Sequence, residues 1–230
     1  GMNLVIKLIK RLKEPEYRYA WLLLYWPLFG ILFQLLERLP FKEYHSVSAA
    51  LDAAIPFCQW FAVPYFFWFI YIIGSLSYFL FKDRDTFVRY MLYVMITYTF
   101  TLGVYVVYPT SQPLRPVLDG SEPLYSVIHW LYSFDTNTNV CPSLHVIGSF
   151  AVMFAAFRCR GFSRGVKIFY AAANAAICAS TVFLKQHSVI DVFWGVVVSL
   201  AAYPAAFAKN AFCTRFLHGF LGRKEPGAAL

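Results

Sequence analysis

Apolar residues fall in six long blocks along the 230-residue chain, and most of the charged residues lie between those blocks. A helix needs roughly 20 apolar residues to cross the hydrocarbon core of a bilayer, and most of the blocks approach that length. The pattern therefore predicts an all-α fold, an integral membrane bundle of six transmembrane helices. The predicted spans cover residues 19–36, 57–81, 87–108, 143–157, 166–184 and 189–208.

The composition supports a membrane protein. Hydrophobic residues make up 60% of the chain and charged residues 14%, whereas a soluble domain carries about 25% charged residues. The net charge of +8 could indicate nucleic-acid binding, but the basic residues are divided among the connections and leave no continuous basic face. We therefore predict no nucleic-acid partner and expect membrane lipids to surround the chain.

The distribution of basic residues predicts the topology. Lys and Arg are frequent before the first block, in the second and fourth connections and after the last block, and they are sparse in the other connections. Cytoplasmic segments carry an excess of Lys and Arg, so both termini are predicted to be cytoplasmic. We predict a basic amphipathic segment at residues 1–18, which could instead extend the first helix, a six-helix membrane domain at residues 19–210 and a cytoplasmic tail at residues 211–230.

The cysteines do not indicate a metal site or a disulfide framework. Five cysteines are scattered along the chain with no CxxC pair, a pattern that argues against both. No cluster of acidic residues suited to a divalent cation stands out either. We therefore predict no metal and no cofactor.

One candidate for chemistry lies at the start of the last block. Charged side chains inside spans are costly and indicate function, and Asp191 is the clearest example, four residues after His187. Residues four apart share a helix face, and a carboxylate bonded to one imidazole nitrogen leaves the other nitrogen free to react. A structural bond that holds two helices together would leave the same sequence pattern.

Two further candidates lie earlier in the chain. Pro142 and Ser143 open the fourth block, where free backbone N–H groups form an anion site, and His145 follows with a titratable imidazole. Arg115 lies in the long third connection, and arginine binds phosphate with two parallel hydrogen bonds. The alternatives are a capped helix with a spare histidine and a solvated arginine.

The predicted topology brings these candidates to one membrane face, which is otherwise poor in charge. Two histidines and a carboxylate beside cations at an anion-binding helix start suggest phosphoryl transfer through a histidine nucleophile. The motifs that converge, in chain order, are Arg115-Pro116, Pro142-Ser143-Leu144-His145 and His187-x-x-x-Asp191.

The order and spacing of these motifs resemble the type 2 phosphatidic acid phosphatase superfamily, whose members have six helices. The resemblance implies that His187 forms a phosphohistidine, that Asp191 orients it, and that His145 protonates the leaving oxygen and later activates the acceptor. It also implies that the phosphate oxygens are held by Arg115, Ser143 and the backbone N–H groups near Leu144.

The chain departs from the family pattern at three positions. Tyr108 and Thr181 stand where the family has a lysine and an arginine, and Leu144 stands where it has a glycine. Lys185 could restore one positive charge, although lysine is a point charge without the fork of an arginine. The Pro-Ser-Leu-His form resembles the branch that includes inositol phosphorylceramide synthases, which move phospho-headgroups between lipids.

The resemblance implies a metal-independent lipid phosphatase or phosphotransferase that acts on lipid phosphate or diphosphate esters at the extracytoplasmic face of a plasma membrane or bacterial inner membrane. The alternatives are a headgroup transferase to a lipid hydroxyl and a non-catalytic lipid-binding or transport relative. Tyr108, Thr181 and Asp135 are candidate headgroup or substrate contacts, although Asp135 could instead belong to an ordinary solvated loop. The sequence leaves the oligomeric state open.

Overall fold

A computed structural model describes residues 15–39 and 43–208, and this part of the chain is mostly helical. The all-α prediction is therefore confirmed. The helices are α1 (Tyr25–Glu37), α2 (Ala50–Ala54), α3 (Ala62–Lys82), α4 (Arg84–Val107), α5 (Tyr125–Phe134), α6 (Leu144–Arg158), α7 (Arg164–Phe183) and α8 (Val189–Phe207). Stretches of 3₁₀ helix at Pro15–Leu24 and Gln59–Phe61 precede α1 and α3.

Five helical segments are long and apolar enough to cross a membrane. They match five of the six predicted spans to within a few residues at each end. The segments are Tyr17–Glu37, Gln59–Lys82, Arg84–Val107, Arg164–Phe183 and Val189–Phe207. The predicted segments 1–18 and 211–230 lie almost wholly outside the described residues.

The sixth predicted span is a shorter apolar helix. Helix α6 has 15 residues, a length of about 22 Å at 1.5 Å per residue, and the hydrocarbon core is about 30 Å thick. It contacts α3, α4, α7 and α8. Because its neighbours cover it, the length of α6 is set by packing more than by the thickness of the bilayer.

Small residues bring α8 against the start of α6. A Cβ added to Gly195 of α8 would lie 2.9 Å from the Cβ of Val146 and 3.2 Å from the carbonyl oxygen of Ser143. Any larger residue at position 195 would push the two helices apart. This close approach sets the distance between the first turns of α6 and α8, where the candidate histidines lie.

The two ends of the bundle differ in charge. Of the eleven described Lys and Arg residues, eight lie at one end, where α3 and α7 meet their neighbours through short connections; we call it the basic end. These residues are Arg18, Lys82, Arg84, Arg89, Arg158, Arg160, Arg164 and Lys167. The other end holds the first turns of α6 and α8, and we call it the histidine end.

Short elements that the sequence pattern did not predict close the histidine end. Strands β1 (His45–Ser46) and β2 (Thr110–Ser111) pair in parallel, with His45 opposite Thr110, and so join the first connection to the third. Helices α2 and α5 lie in the same two connections. These connections form an ordered cover over the helix ends.

Candidate active site

His187 and Asp191 form a hydrogen-bonded pair at the start of α8. His187 Nδ1 lies 3.3 Å from Asp191 Oδ2, which also accepts the backbone N–H of Ser188 at 2.9 Å. Because the carboxylate only accepts, we assign the ring proton to Nδ1, and this leaves Nε2 as the free nitrogen. Asp191 is fully buried, and His187 is 7% exposed. The predicted pair is therefore present in the structure.

His145 lies in the first turn of α6, beside this pair. The centroids of the His145 and His187 rings are 5.7 Å apart. The imidazole of His145 packs against the rings of Tyr65 and Trp68, at centroid distances of 4.6 Å and 4.5 Å. The aromatic side chains of α3 therefore hold His145 next to His187.

A carboxylate from the third connection completes the surroundings of His145. Asp135 Oδ2 lies 4.0 Å from His145 Nε2. The same oxygen accepts the hydroxyl of Tyr65 and, at 3.4 Å, the amide of Gln186. Asp135 thus belongs to the histidine cluster, and the solvated-loop alternative does not apply to it.

Arg115 supports this cluster from one layer further out. Its guanidinium donates to the carbonyl oxygens of Tyr132 and Asp135 and to the side-chain oxygen of Gln186. The charge also lies 4.5 Å from the centre of the Tyr132 ring. Burial lowers the pKa of Arg115, and the nearby Asp135 carboxylate opposes that effect. Arg115 is predominantly bonded to protein oxygens.

The two histidines open onto one cavity of about 150 Å³. One side of the cavity is aromatic, and the other side is polar. The aromatic side chains are Trp26, Phe29, Phe33, Trp68, Tyr98 and Tyr105. The polar ones are Asp135, Thr136, Thr138, Asn139, His145, Gln186 and His187. Glu37 accepts hydrogen bonds from Thr136, Thr138 and Asn139 and so fixes the loop that forms the polar side.

Ser143 has a structural position. Its hydroxyl oxygen accepts the backbone N–H of Val146 at 3.4 Å, and its own N–H donates to the carbonyl oxygen of Asp191 at 3.1 Å. The side chain is fully buried and caps α6. Leu144, by contrast, lines the cavity. Ser143 therefore matches the capped-helix alternative, and it ties the start of α6 to that of α8.

Lys185 does not line the cavity, and its contacts do not support the predicted role in holding phosphate. The backbone of Lys185 has a positive φ of 55°, which ends α7 and turns the side chain away from its neighbours in the sequence. Its ammonium donates to the carbonyl oxygens of Asp52, at 2.7 Å, and Ile55. Lys185 therefore anchors helix α2.

Tyr108 and Thr181 also lie outside the lining of the cavity. Tyr108 stacks on His45 with ring centroids 3.8 Å apart. The Thr181 hydroxyl donates to Cys178 within α7, and its carbonyl oxygen accepts the N–H groups of Gln186 and His187. Thr181 thus shapes the turn that presents His187, and neither residue lines the cavity of the two histidines.

Cys141 lies close to Asp191 but is unsuited to nucleophilic chemistry. Burial and the neighbouring Asp191 carboxylate raise the pKa of its thiol to about 12. The thiol is therefore protonated at neutral pH, and only the thiolate is a strong nucleophile. The histidine pair remains the candidate for chemistry.

Gln186 and Tyr65 are the members of the cluster that the sequence analysis missed. Gln186 connects Arg115 to Asp135, and Tyr65 connects α3 to the same carboxylate. Neither residue lies in a recognisable motif, and the position of Gln186 next to His187 was the only available signal. No known family model, characterised protein or solved structure matches the chain.

Proposed function

We propose that the protein transfers a phosphoryl group from a lipid phosphate ester through a phosphohistidine on His187. The observation that carries this proposal is the pairing of two imidazoles on one cavity, one of them bonded to the buried carboxylate of Asp191. A histidine held by a carboxylate is a positioned nucleophile, and a second histidine beside it supplies a general acid and base.

The reaction would proceed in two steps. In the first, Nε2 of His187 attacks phosphorus, the bond from phosphorus to the leaving oxygen breaks, and His145 gives that oxygen a proton. In the second, water or a lipid hydroxyl loses its proton to His145 and attacks the phosphohistidine, which releases His187. Asp191 keeps the proton on Nδ1 and stabilises the charge on the ring throughout.

The charge distribution supports an extracytoplasmic location for this chemistry. Eight of the eleven described basic residues lie at the basic end, and cytoplasmic ends of membrane proteins are enriched in Lys and Arg. The histidine end would then face the other side. A lipid substrate is favoured because the cavity has an aromatic side within the bundle.

The bonding of the cations favours headgroup transfer as a second candidate. Arg115 donates to protein oxygens on both terminal nitrogens, Lys185 donates to two carbonyls, and no lysine or arginine lines the described cavity. A phosphomonoester carries a charge of about −1.5 to −2 at neutral pH, and a phosphodiester carries a single charge. The phosphodiester of a membrane lipid suits this cavity better.

Phosphate release and headgroup transfer by the purified protein would test the proposal. Lipid phosphates, diphosphates and phosphodiesters are offered in detergent, with and without a lipid alcohol as acceptor. His187→Ala should lose at least about a thousandfold in turnover and still fold. His129→Ala is the matched control, because His129 bonds to the carbonyl oxygen of Leu118 and does not line the cavity.

Vanadate provides a second arm of the test, because it resembles the phosphoryl group in the transition state. Inhibition of the wild-type protein is expected. Turnover retained in His187→Ala would contradict the nucleophile assignment. Binding of lipid with no turnover under any of these conditions would assign the protein to a non-catalytic lipid-binding class.

A further inference from the structure

A second and much larger space lies between α4 and α8. Its volume is about 790 Å³, within the range of about 300–1,000 Å³ typical of ligand pockets. On α4 the walls come from Ile96, Thr97, Phe100, Val104 and Tyr108, and on α8 from Ile190, Trp194, Val197, Val198, Ala201, Ala202 and Ala205. We call this space the α4–α8 groove.

The groove runs along most of the length of the bundle. The lining residues on α8 extend from Ile190 to Ala205, about 22 Å at 1.5 Å per residue. Both walls are helices long and apolar enough to cross a membrane. Anything that enters between them therefore comes from the hydrocarbon region of the bilayer, and it must be apolar along its length.

Most polar residues of the groove lie at the histidine end, and the hydroxyl of Thr97 further along α4 donates to the carbonyl oxygen of Tyr93 in its own helix. At the histidine end the lining includes the hydroxyl-bearing residues Ser46, Ser48 and Thr110 together with Cys141 and Pro142. An occupant would therefore have an apolar body and a polar end, and the polar end would lie beside the candidate active site.

Neighbouring residues line the groove and the histidine cavity. Val140 lines the cavity, and the adjacent Cys141 lines the groove. On α4, Tyr105 lines the cavity, and the adjacent Val104 lines the groove. Ile190 of the groove also precedes Asp191 in the first turn of α8. The two spaces therefore adjoin at the histidine end.

The lining of the groove favours a hydrocarbon chain as its occupant, because the residues of both helices that face it are almost all apolar. A hydrocarbon chain has no backbone polar groups to satisfy, which suits walls that offer few hydrogen-bonding groups.

We propose that the α4–α8 groove binds one hydrocarbon chain of the lipid substrate, with the polar end of that chain at Thr110 and Cys141, where the groove adjoins the histidine cavity. The identity of this lipid as the substrate rests on the proposed function, whereas binding of the chain does not. The groove would then select lipids by the length and shape of one chain, separately from the histidine cavity.

Photolabelling of the protein in bilayer nanodiscs would test the groove. The probe is a phosphatidic acid with a photoreactive diazirine at the end of one acyl chain. Wild-type protein should be labelled on the groove face of α8, between Trp194 and Ala205. Val104→Phe should lower this labelling about tenfold. A tenfold loss of binding corresponds to the free energy of burying roughly two methylene groups.

The chain offers a matched control for this substitution. Val106 lies two residues further along α4, is 54% exposed and is outside the groove lining, so Val106→Phe should leave the labelling unchanged. Val197→Phe fills the opposite wall and repeats the test if Val104→Phe does not fold. Equal labelling in the groove variants and the control would overturn the proposal, and so would cross-links to a second copy at the groove without lipid labelling.

His187→Ala separates this proposal from the proposed function. Labelling that persists in His187→Ala while turnover is lost would support both. If Val104→Phe lowers the labelling but the wild-type protein shows no turnover, the groove proposal stands and the proposed enzymatic function is wrong. If turnover is lost in His187→Ala but labelling is unchanged in Val104→Phe, only the groove proposal is wrong.

Discussion

Two buried polar clusters lie next to each other at the histidine end, and they differ in how they are bonded. In the first, which we call the clasp, Asp52 accepts from Ser188 Oγ at 2.6 Å and from the N–H groups of Val189 and Ala49 at 2.9 Å and 2.7 Å. Lys185 completes the clasp by binding carbonyls of the same α2 region.

The second cluster is that of the histidines, and its bonding is incomplete. His187 uses Nδ1 for Asp191 and keeps Nε2 free, and His145 is 4.0 Å from its carboxylate neighbour Asp135. Both imidazoles line a cavity, whereas the groups of the clasp do not. A charged group whose hydrogen bonds are made within the protein stabilises the fold. A buried titratable group that can accept or donate a further hydrogen bond beside a cavity is a candidate for chemistry.

Among the substitutions that distinguish the histidine cluster from the clasp, His145→Ala should have the greatest effect, and it acts on turnover. General acid–base catalysis contributes about 10²–10⁴-fold, so turnover should fall by that factor, while folding persists because His145 caps no helix. The measurement is kcat on the active lipid, with the melting temperature alongside. Turnover within a few-fold of the wild-type value would remove His145 from the reaction.

Lys185→Met should act on stability and leave turnover per folded molecule close to the wild-type value. Two buried carbonyls would lose their donor, at about 1–3 kcal/mol for a buried unsatisfied group. The melting temperature should then fall by about 2–4 °C for each kcal/mol. An unchanged melting temperature with a raised KM would mean that Lys185 binds substrate and that the clasp is misassigned.

Asp135→Asn should reduce kcat about tenfold, because the proposed general acid and base, His145, loses the negative charge beside it. The amide keeps the shape of the side chain and removes its negative charge. Asp119→Asn, in the same connection and exposed to solvent, is the matched control and should have no effect. Equal kcat values for the two variants would show that Asp135 does not contribute to the reaction of the histidines.

The smallest effect is expected from Cys141→Ser. Because burial and Asp191 raise the pKa of this thiol to about 12, it is uncharged at neutral pH and offers no thiolate for the reaction. Turnover should stay within about threefold of wild type, and the wild-type thiol should resist alkylation at neutral pH. Rapid alkylation that abolishes turnover would make Cys141 part of the reactive centre.

The sequence predicted the spans well because the bilayer imposes a simple requirement of length and apolarity. Helix α6 is the exception, since four other helices surround it and the bilayer does not set its length. The short elements of the connections were not predicted, because the pairing of β1 with β2 depends on segments about 65 residues apart meeting in the fold.

For the candidate site, the motifs predicted His145, His187 and Asp191 at one membrane face. The structure brings them together at the histidine end, where both histidines line one cavity and the buried Asp191 bonds to His187. Gln186 and Tyr65 could not be predicted, since the bond from Tyr65 to Asp135 spans 70 positions. Lys185 shows the opposite problem. Closeness to His187 in the sequence suggested that Lys185 could restore a positive charge at the site, but Lys185 has a positive φ and its ammonium bonds to the α2 region.

Rapid quenching followed by mass spectrometry of the protein would show whether His187 carries the phosphoryl group during turnover. The wild-type protein and His145→Ala are mixed with the active lipid, quenched in alkali to preserve phosphohistidine, and digested. We predict a phosphoryl group on His187 of the wild-type protein, and slower appearance of that group in His145→Ala, where the leaving oxygen receives no proton from His145. A phosphoryl group on His145, or continued turnover with no phosphorylated histidine, would contradict the account.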